Sequence, residues 1–246
     1  MIDMIDFHCH PDLYNDKFSS LKKAKENNIK LVAMTNLPQL YKKYNDLFEF
    51  EENIKIALGY HPQLVLDYPN EMRLFLKYIK SARFIGEIGL DKSSNSISYI
   101  DKQIEIFKEI IGECNRIGDK IISIHSRKAD DLIFDYIVNG SCIYIFHWYT
   151  GNVARLIDAF SKNKRIYISI NMDMINTVNG RKIIELTPLS RIVLETDAPF
   201  TRYTKRIYSG DILFETVKKI AKIKKCEYHL VIESIMTNSK RIMQIK

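Results

Sequence analysis

Several features that mark particular classes of protein are missing from this sequence. Its four cysteines are far apart and form no Cys-x-x-Cys pair, so they indicate neither a zinc ribbon nor a disulfide framework. No apolar stretch reaches the ~18 residues that a membrane-spanning helix needs. The first residues also lack the basic segment and apolar core of a secretory leader. We therefore expect a cytoplasmic protein with reduced thiols and no membrane association.

Length and charge narrow the remaining classes. The chain has 246 residues, and one α/β barrel usually takes about 250. No linker, repeat or low-complexity tract divides it, so we expect a single domain over residues 1–246. The net charge of +7 favours polyanionic partners such as nucleic acid. The basic residues form no long block, however, and lysine-rich, solvated helix faces would explain them equally well.

Apolar, β-branched runs recur along the chain, and most are followed by a longer helical pattern. The runs cover residues 1–8, 30–35, 54–60, 84–89, 120–125, 142–147, 165–170 and 191–195. Strands that alternate with helices are typical of parallel sheets with crossover helices. Eight such units in this length predict an α/β fold, a closed (β/α)8 TIM barrel. A doubly wound open sheet is the alternative, but no glycine-rich phosphate loop follows the first run.

The helical patterns differ in clarity. Residues 99–117 and 151–162 show the clearest ones, whereas the pattern at 173–186 is broken by Asn179-Gly180. Two more, at 212–224 and 227–245, close the chain, and the second predicts an extra C-terminal helix beyond the eighth unit. The serine-rich stretch 93–98 predicts a loop.

Polar side chains able to do chemistry collect at the carboxyl ends of the apolar runs, which converge on one face of a parallel barrel. On a strand, Asp6, His8 and His10 lie on one face. Two neutral imidazoles there can bind one metal ion, and Asp6 can orient a ligand from behind. The other candidates at run ends are His61, Glu87, His125, Arg127, His147, Glu195 and Asp197. Only His229 lies elsewhere, on the predicted surface of the last helix.

Each of these residues alone has a structural explanation. Glu87 can pair with an arginine of the core, and Asp197 before Ala-Pro can form a turn or a helix cap. Histidines and carboxylates buried together, however, would repel or desolvate one another without a cation. Enough ligands for two ions are present: His8, His10, Glu87, His125, His147 and Asp197. Two ions about 4 Å apart suit the hydrolysis of phosphate esters.

Six motifs occur in one order along the chain. They are Asp6-Phe7-His8-Cys9-His10, Gly59-Tyr60-His61-Pro62, Gly86-Glu87-Ile88-Gly89-Leu90-Asp91, His125-Ser126-Arg127, His147-Trp148-Tyr149-Thr150-Gly151 and Glu195-Thr196-Asp197-Ala198-Pro199. This series resembles the TatD family of metal-dependent deoxyribonucleases, in the amidohydrolase-like barrel superfamily. A C-terminal Thr237-Asn238-x-x-Arg241 is similar to the family's ending.

The resemblance implies a division of labour among the candidates. His8, His10 and Asp197 would hold one ion. His125 and His147 would hold the second, and Glu87 would bridge the two. Glu195 would support the site, and His61 and Arg127 would contact the scissile phosphate. The cofactors would be two divalent ions, Mg²⁺, Mn²⁺ or Zn²⁺.

The reaction expected from this resemblance is hydrolysis of DNA phosphodiester bonds, with nucleotides removed from an end. Asp197 is our candidate to hold or deprotonate the attacking water, whose pKa the ions would lower. The ions and Arg127 would neutralise charge that develops on the phosphoryl oxygens. The catalytic set is therefore Glu87, Asp197, Arg127 and His61.

The sequence departs from the family pattern in three places. Lys128 stands where an acidic residue often follows His-Ser-Arg, and Lys92 where an aromatic residue commonly follows Gly-Leu-Asp. The third departure is the most important. The usual Arg-Asn-x-Pro after Asp-Ala-Pro is missing, and residues 200–206 form a basic, aromatic loop instead. We expect this loop to grip nucleic acid by charge and stacking through Arg202, Tyr203, Lys205 and Arg206. The expected partner is DNA, single-stranded or at a strand end.

Two other functions stay open at this point. The superfamily also contains hydrolases of small esters and amides. Some use a carbamylated lysine at a strand end, but Lys30, Lys55 and Lys120 lie at strand starts, which favours the phosphodiesterase. The chain can instead be a metal-bound, nucleic-acid-binding subunit. Compact TatD-like proteins also occur in bacterial anti-phage operons, including those named Qat, whose other products would then be its protein partners.

Overall fold

A computed structural model describes residues 4–93 and 97–244 of the chain. Each of the eight predicted runs contains a strand, although residues 1–3 of the first run lie outside the described part. The strands are β1 (Met4–Cys9), β2 (Ile29–Ala33), β3 (Ile54–Ile56), β4 (Phe84–Gly89), β5 (Ile121–His125), β6 (Ile143–Phe146), β7 (Ile166–Ile170) and β8 (Ile192–Leu194). They are rich in isoleucine and almost wholly buried, as expected for parallel strands covered on both faces.

Helices connect the strands and cover the outside of the fold. They are α1 (Lys17–Glu26), α2 (Pro38–Leu47), α3 (Met72–Tyr78), α4 (Ile97–Ile117), α5 (Asp130–Ile137), α6 (Val153–Lys162), α7 (Met172–Ile175), α8 (Val178–Leu186), α9 (Asp211–Lys224) and α10 (Tyr228–Gln244). Helix α10 is the predicted extra C-terminal helix, and His229 is exposed on it.

One detail of the helical prediction was wrong, and a predicted loop lies partly outside the described residues. The break between α7 and α8 falls at Asn176 and Thr177, where the Thr177 side chain accepts a hydrogen bond from Gly180 N. Asn179-Gly180 therefore lies inside α8, because a side-chain cap decides where that helix begins. Of the predicted loop at 93–98, residues 94–96 lie outside the described part, and residues 97 and 98 already belong to α4.

All strand pairing is parallel and follows the order of the chain. One sheet contains β1, β2 and β3, and the other contains β4 to β8. After β3, Leu58 N donates to Phe84 O at 2.9 Å, and Gly86 N donates to Leu58 O at 2.9 Å. After β8, Asp197 N donates to His8 O at 2.9 Å. A few backbone hydrogen bonds thus join the edges where the ladders are interrupted, and the strands keep the predicted (β/α)8 order.

An inner apolar cluster fills the part of the fold where the strands begin. Its members are Ile5, Phe7, Val32, Met34, Ala57, Phe84, Ile121, Ile143, Ile145, Tyr167, Val193 and Ile242. Ile121 precedes His125 by four positions on β5, and Ile145 and Val193 stand two positions before His147 and Glu195, which follow the ends of β6 and β8. These apolar residues therefore lie beneath the polar residues. Ile242 comes from α10, which thereby closes this end of the barrel. The larger apolar layer lies between the strands and the surrounding helices.

Among the described residues, no helix combines the length and the apolar character needed to cross a membrane.

Candidate metal centre

The polar candidates meet where the strands end. Ligand atoms lie within 4.8 Å of one another in three groups: His8, His10 and Asp197; His8, Glu87 and His147; and His61, Glu87 and His125. Most of these side chains are buried, while those of His61 and His125 keep 14% of their surface exposed. The expected set of six is thus brought together, and His61 joins it.

Two glycines allow the strand ends to come this close. A Cβ on Gly59 would lie 1.6 Å from Thr35 O. At Gly89 the φ angle is +148°, and a Cβ there would lie 1.9 Å from His125 O. No side chain fits at either position. The chain can therefore place Glu87 and His125 on neighbouring strands at hydrogen-bonding distance.

Glu87 stands between two pairs of histidines. Its Oε1 lies 2.6 Å from His125 Nδ1 and 2.7 Å from His147 Nε2. Its Oε2 lies 3.5 Å from His10 Nε2 and 3.6 Å from His8 Nε2. Each carboxylate oxygen therefore faces one pair, which is the arrangement that a bridging ligand requires.

Asp197 lies beside the first pair of histidines. Its Oδ1 is 3.5 Å from His8 Nε2 and 3.8 Å from His10 Nε2, and those two nitrogens are 3.1 Å apart. The φ angle of Asp197 is +47°, in the left-handed region. Backbone bonds from Asp197 N to His8 O and from Phe200 N to Asp197 O hold this conformation. Such strained residues are concentrated at functional sites.

Other side chains fix two of the imidazole rings from behind. Ser123 Oγ is 2.7 Å from His8 Nδ1, and Asp91 Oδ2 is 2.8 Å from His125 Nε2. Sequence reasoning did not assign roles to Ser123 and Asp91. Ser123 stands two residues before His125 on β5, so strand alternation could have placed it on the inner face. Asp91 is the last residue of the motif that contains Glu87, and its place in that motif could have indicated a role.

Glu195 and Asp6, the two expected supporting carboxylates, act in different places. Glu195 Oε2 lies 4.0 Å from His147 Nδ1, and its Oε1 accepts bonds from Trp148 N at 2.9 Å and from Asn171 Nδ2 at 2.8 Å. Ser169 also donates to Glu195. Glu195 thus holds the segment around His147.

Asp6 contacts no imidazole ring among the described residues, in contrast to the expectation that it orients one. It accepts bonds from Thr196 N at 2.9 Å, Thr196 Oγ1 at 2.6 Å and Tyr208 OH at 3.1 Å. The pairing of β1 with β2 shifts register between Asp6 and Cys9, which interrupts strict side-chain alternation. Asp6 also accepts a bond from His8 N at 3.3 Å. It therefore positions the backbone of His8 and the residue before Asp197, not an imidazole ring.

His61 and Arg127 lie at the opening of the site. His61 Nε2 is 3.6 Å from Glu87 Oε1, and its Nδ1 accepts a hydrogen bond from Gln63 N. Its position suits a ligand as well as the expected contact with substrate. Arg127 is exposed, and it lines a cavity of about 490 Å³ together with His61 and Glu87.

The basic loop is partly committed to contacts within the chain. Arg202 Nε donates to Asp173 Oδ1 at 2.9 Å, and Arg202 N donates to Asp173 Oδ2 at 3.1 Å. Tyr203 OH accepts a bond from Asn176 Nδ2 at 3.2 Å. Lys205 and Arg206 are exposed. Of the four residues expected to grip nucleic acid, Arg202 therefore already has an ionic partner.

Burial shifts most of the titrating groups away from their charged forms. It lowers the pKa of His8 and of His147. It raises the pKa of Glu195 to about 8, and that of Asp197 well above its usual range, with neighbouring carboxylates adding to the rise. Neutral imidazoles are the form that binds metal ions, and a cation would allow the carboxylates to ionise.

Glu87 and His125 are the exceptions, because their partners outweigh burial. Burial opposes the charge on Glu87, but His147 and His61 hold its pKa well below the usual range. Burial also opposes the charge on His125, but bonds to Asp91 and Glu87 raise its pKa to about 9. Without a bound cation, the positive charge of His125 therefore compensates the negative charge of Glu87.

The donor set fits a cationic cofactor. The facing Nε2 atoms of His8 and His10 can share only one proton across 3.1 Å. The same two nitrogens also face Asp197 Oδ1 and Glu87 Oε2 at 3.5 to 3.8 Å. A positive ion among these nitrogens and carboxylates would satisfy the lone pairs directed at it.

Buried histidines and carboxylates at the carboxyl ends of parallel strands define a metal-dependent hydrolase of the barrel type. A family model described as TatD-related DNase matches residues 5–244, and the chain belongs to this family. This membership makes the protein a hydrolase.

Individual relatives agree with that assignment. A metal-dependent hydrolase of Buchnera aphidicola from Acyrthosiphon pisum is 26% identical, over 98% of this chain and 99% of its own. The human deoxyribonuclease TATDN3 is 24% identical, over 98% of this chain and 94% of its own. The crystal structure of YJJV, a TatD homologue from Escherichia coli, matches with a TM-score of 0.84 at 18% identity, over the whole of both chains. That structural match confirms the predicted barrel fold.

Proposed function

We propose that this protein is a deoxyribonuclease that hydrolyses DNA phosphodiester bonds with two divalent ions and removes nucleotides from a strand end. The observation that carries the proposal is the position of Glu87, whose two oxygens each face a separate pair of histidines. A single ion would need only one of these pairs. The name of the human relative, a deoxyribonuclease, supports DNA as the substrate.

The proposed ligands fall into two halves that share Glu87. His8, His10 and Asp197 hold one ion, and His125 and His147 hold the other. Ser123 and Asp91 keep the rings of His8 and His125 in place through their outward nitrogens. Two divalent ions would supply a nucleophilic water of lowered pKa and neutralise charge on the phosphoryl oxygens. The mixed imidazole and carboxylate set is compatible with Mg²⁺, Mn²⁺ or Zn²⁺.

The remaining steps fall to the side chains of the chain itself. Asp197 orients the attacking water and accepts its proton, a role that suits a buried carboxylate with a raised pKa. Arg127 at the cavity opening binds the phosphate that enters and stabilises its charge. His61 lies on the same side, where it contacts the scissile phosphate or completes the ligand set of Glu87 and His125.

A strand end is the favoured substrate because the site is a confined cavity. Its volume is about 490 Å³, and Gln63, Thr150 and Phe200 help to line it. An internal phosphodiester within a duplex would have to bring both strands into this space. The net charge of +7 and the exposed Lys205 and Arg206 attract the phosphate backbone.

The test uses the purified full-length protein and DNA labelled at one end. We expect nuclease activity that a chelator removes and that Mg²⁺, Mn²⁺ or Zn²⁺ restores. Elemental analysis should give two equivalents of metal per chain. Glu87→Gln should lose about 100-fold or more in kcat, since metal ions contribute several kcal/mol to such transition states.

The choice of substrates makes the test decisive. Parallel assays on RNA and on a panel of small esters and amides measure the alternative substrates. Chelator-resistant activity, or cleavage of the small esters with none of DNA, would refute the proposal. Retained folding of Glu87→Gln, measured by circular dichroism, shows that the loss arises at the site.

A further inference from the structure

Two aromatic side chains border the metal centre and take no part in it. Trp148, the single tryptophan of the chain, directly follows His147 and lines the cavity. Phe200 lines the same cavity, and its ring centroid lies 5.3 Å from that of His10. Phe200 is also 58% exposed, so its ring presents a large apolar surface at the opening of a polar site.

The backbone holds both residues firmly relative to the proposed ligands. Phe200 N donates to Asp197 O at 2.7 Å, which fixes the turn between them. Trp148 N donates to Glu195 Oε1 at 2.9 Å, and its φ angle of +38° places it in the left-handed region. Side chains that extend from such fixed positions can act as pre-organised binding surfaces.

The chemistry around these rings identifies what they would bind. The exposed ring of Phe200 is costly in water, whereas Trp148 is partly buried against the core and contributes to the cavity lining. None of the described polar contacts of the metal centre involves the ring of either residue. Planar apolar rings beside a phosphate-binding centre fit the base of a nucleotide whose phosphate is being cleaved. Aromatic side chains stack on unpaired bases of any identity, because every base has a π-face.

We propose that Trp148 and Phe200 form a nucleobase subsite, in which the base of the terminal nucleotide stacks while its phosphodiester lies at the metal centre. This inference rests on the proposed function. It adds a specificity determinant: the site recognises a planar base as well as a phosphate. Since stacking is tolerant of sequence, we expect little discrimination among the four bases.

The kinetic test compares two single-stranded oligonucleotides that differ only in whether the terminal nucleotide carries a base or is abasic. For the unaltered protein we expect kcat/KM to be about 5- to 150-fold higher with the base, the range that one base stack provides. Phe200→Ala and Trp148→Ala should reduce this ratio towards one. Phe200→Tyr should preserve it, because the ring is kept.

Phe50→Ala is the matched control, because Phe50 is 91% exposed and does not line the cavity. It should leave the ratio unchanged. Equal rates on both oligonucleotides for the unaltered protein, or an undiminished ratio in Phe200→Ala, would overturn the subsite. Absence of cleavage of either oligonucleotide would instead refute the proposed function, so the two failures are distinguishable.

A second measurement does not depend on turnover. Excitation of the single tryptophan reports directly on Trp148, and an oligonucleotide with phosphorothioate ends serves as a cleavage-resistant probe. We expect its terminal base to quench the emission, and we expect the abasic version at the same concentration to leave the emission unchanged. Equal changes with both probes, or none with either, would contradict stacking on Trp148.

Discussion

Replacing Asp91 by asparagine tests how strongly the surrounding side chains control metal binding. The Asp91 carboxylate accepts hydrogen bonds from His125 Nε2 and Gln63 Nε2, both at 2.8 Å, and from Ser93 N at 2.7 Å. The bond from His125 Nε2 places the proton on that nitrogen in the neutral ring. It thereby leaves the lone pair of Nδ1 directed at Glu87 and the metal centre.

The expected magnitude follows from these three bonds. In Asp91→Asn one amide oxygen can still accept from Ser93 N. The amide nitrogen then faces the donors of His125 and Gln63, so two bonds to a charged acceptor are lost. Replacement of such a supporting group typically costs 10- to 100-fold in metal affinity. This range corresponds to about 1.4 to 2.8 kcal/mol, at 1.4 kcal/mol for each factor of ten.

The assay is a competition titration of the metal-free protein against a fluorescent chelator, with Mn²⁺ or Zn²⁺ as the metal. Asp131→Asn is the matched control, because Asp131 is partly exposed and pairs with Lys92 at 3.5 Å at the same end of the barrel. We expect its affinity to equal that of the unaltered protein. Unchanged affinity in a folded Asp91→Asn would refute the reasoning that Asp91 directs the lone pair of His125.

Three further predictions concern substrate binding, metal binding and stability. Arg127→Ala should raise KM for DNA and weaken its dependence on salt, whereas Arg202→Ala should change both less, because Arg202 is paired in the free protein. Ser123→Ala should lower metal affinity about tenfold in the chelator titration by releasing the ring of His8. Asn238→Ala should reduce the free energy of unfolding by about 2 to 4 kcal/mol in urea denaturation, because two carbonyls lose their donor.

Control variants distinguish the loss of each specific contact from general destabilisation of the protein. Ser141→Ala removes a hydroxyl at the opposite end of the barrel and should leave metal affinity unaltered. Asn70→Ala removes an exposed amide and should change stability by no more than about 0.5 kcal/mol. Equal salt dependence in the two arginine variants, unaltered metal affinity in Ser123→Ala, or full stability in Asn238→Ala would contradict the respective contact.

Much of the fold could be predicted because its local signals agree with one another. Runs such as residues 120–125 and 142–147 combine β-branched composition, strand length and a polar end, and the structure has strands there. The boundary between α7 and α8 could not be predicted from the Asn-Gly pair. Thr177 caps the second helix through its side chain, and this overrides the low helix propensity of Gly180.

The positions of site residues that extend from strand ends could be predicted. Positions that depend on the pairing register of a strand could not. Convergence of parallel strands brings His8, Glu87 and His147 together from separate parts of the sequence. The position of Asp6 depends on a register shift in β1, which no periodicity reveals. The pairing of Arg202 with Asp173 likewise depends on how a long loop folds back, which a sequence of basic residues leaves undetermined.

The last helix has a consequence for how the protein is made. Ile242 belongs to the inner cluster with Ile5, and Arg83 Nη2 donates to Met243 O at 2.8 Å. During synthesis all eight strands therefore leave the ribosome before the residue that closes their lower end. A premature stop codon that removes only α10 would leave every proposed ligand encoded but the barrel open to water from below. We expect such a truncated product to be a target for proteases rather than a smaller enzyme.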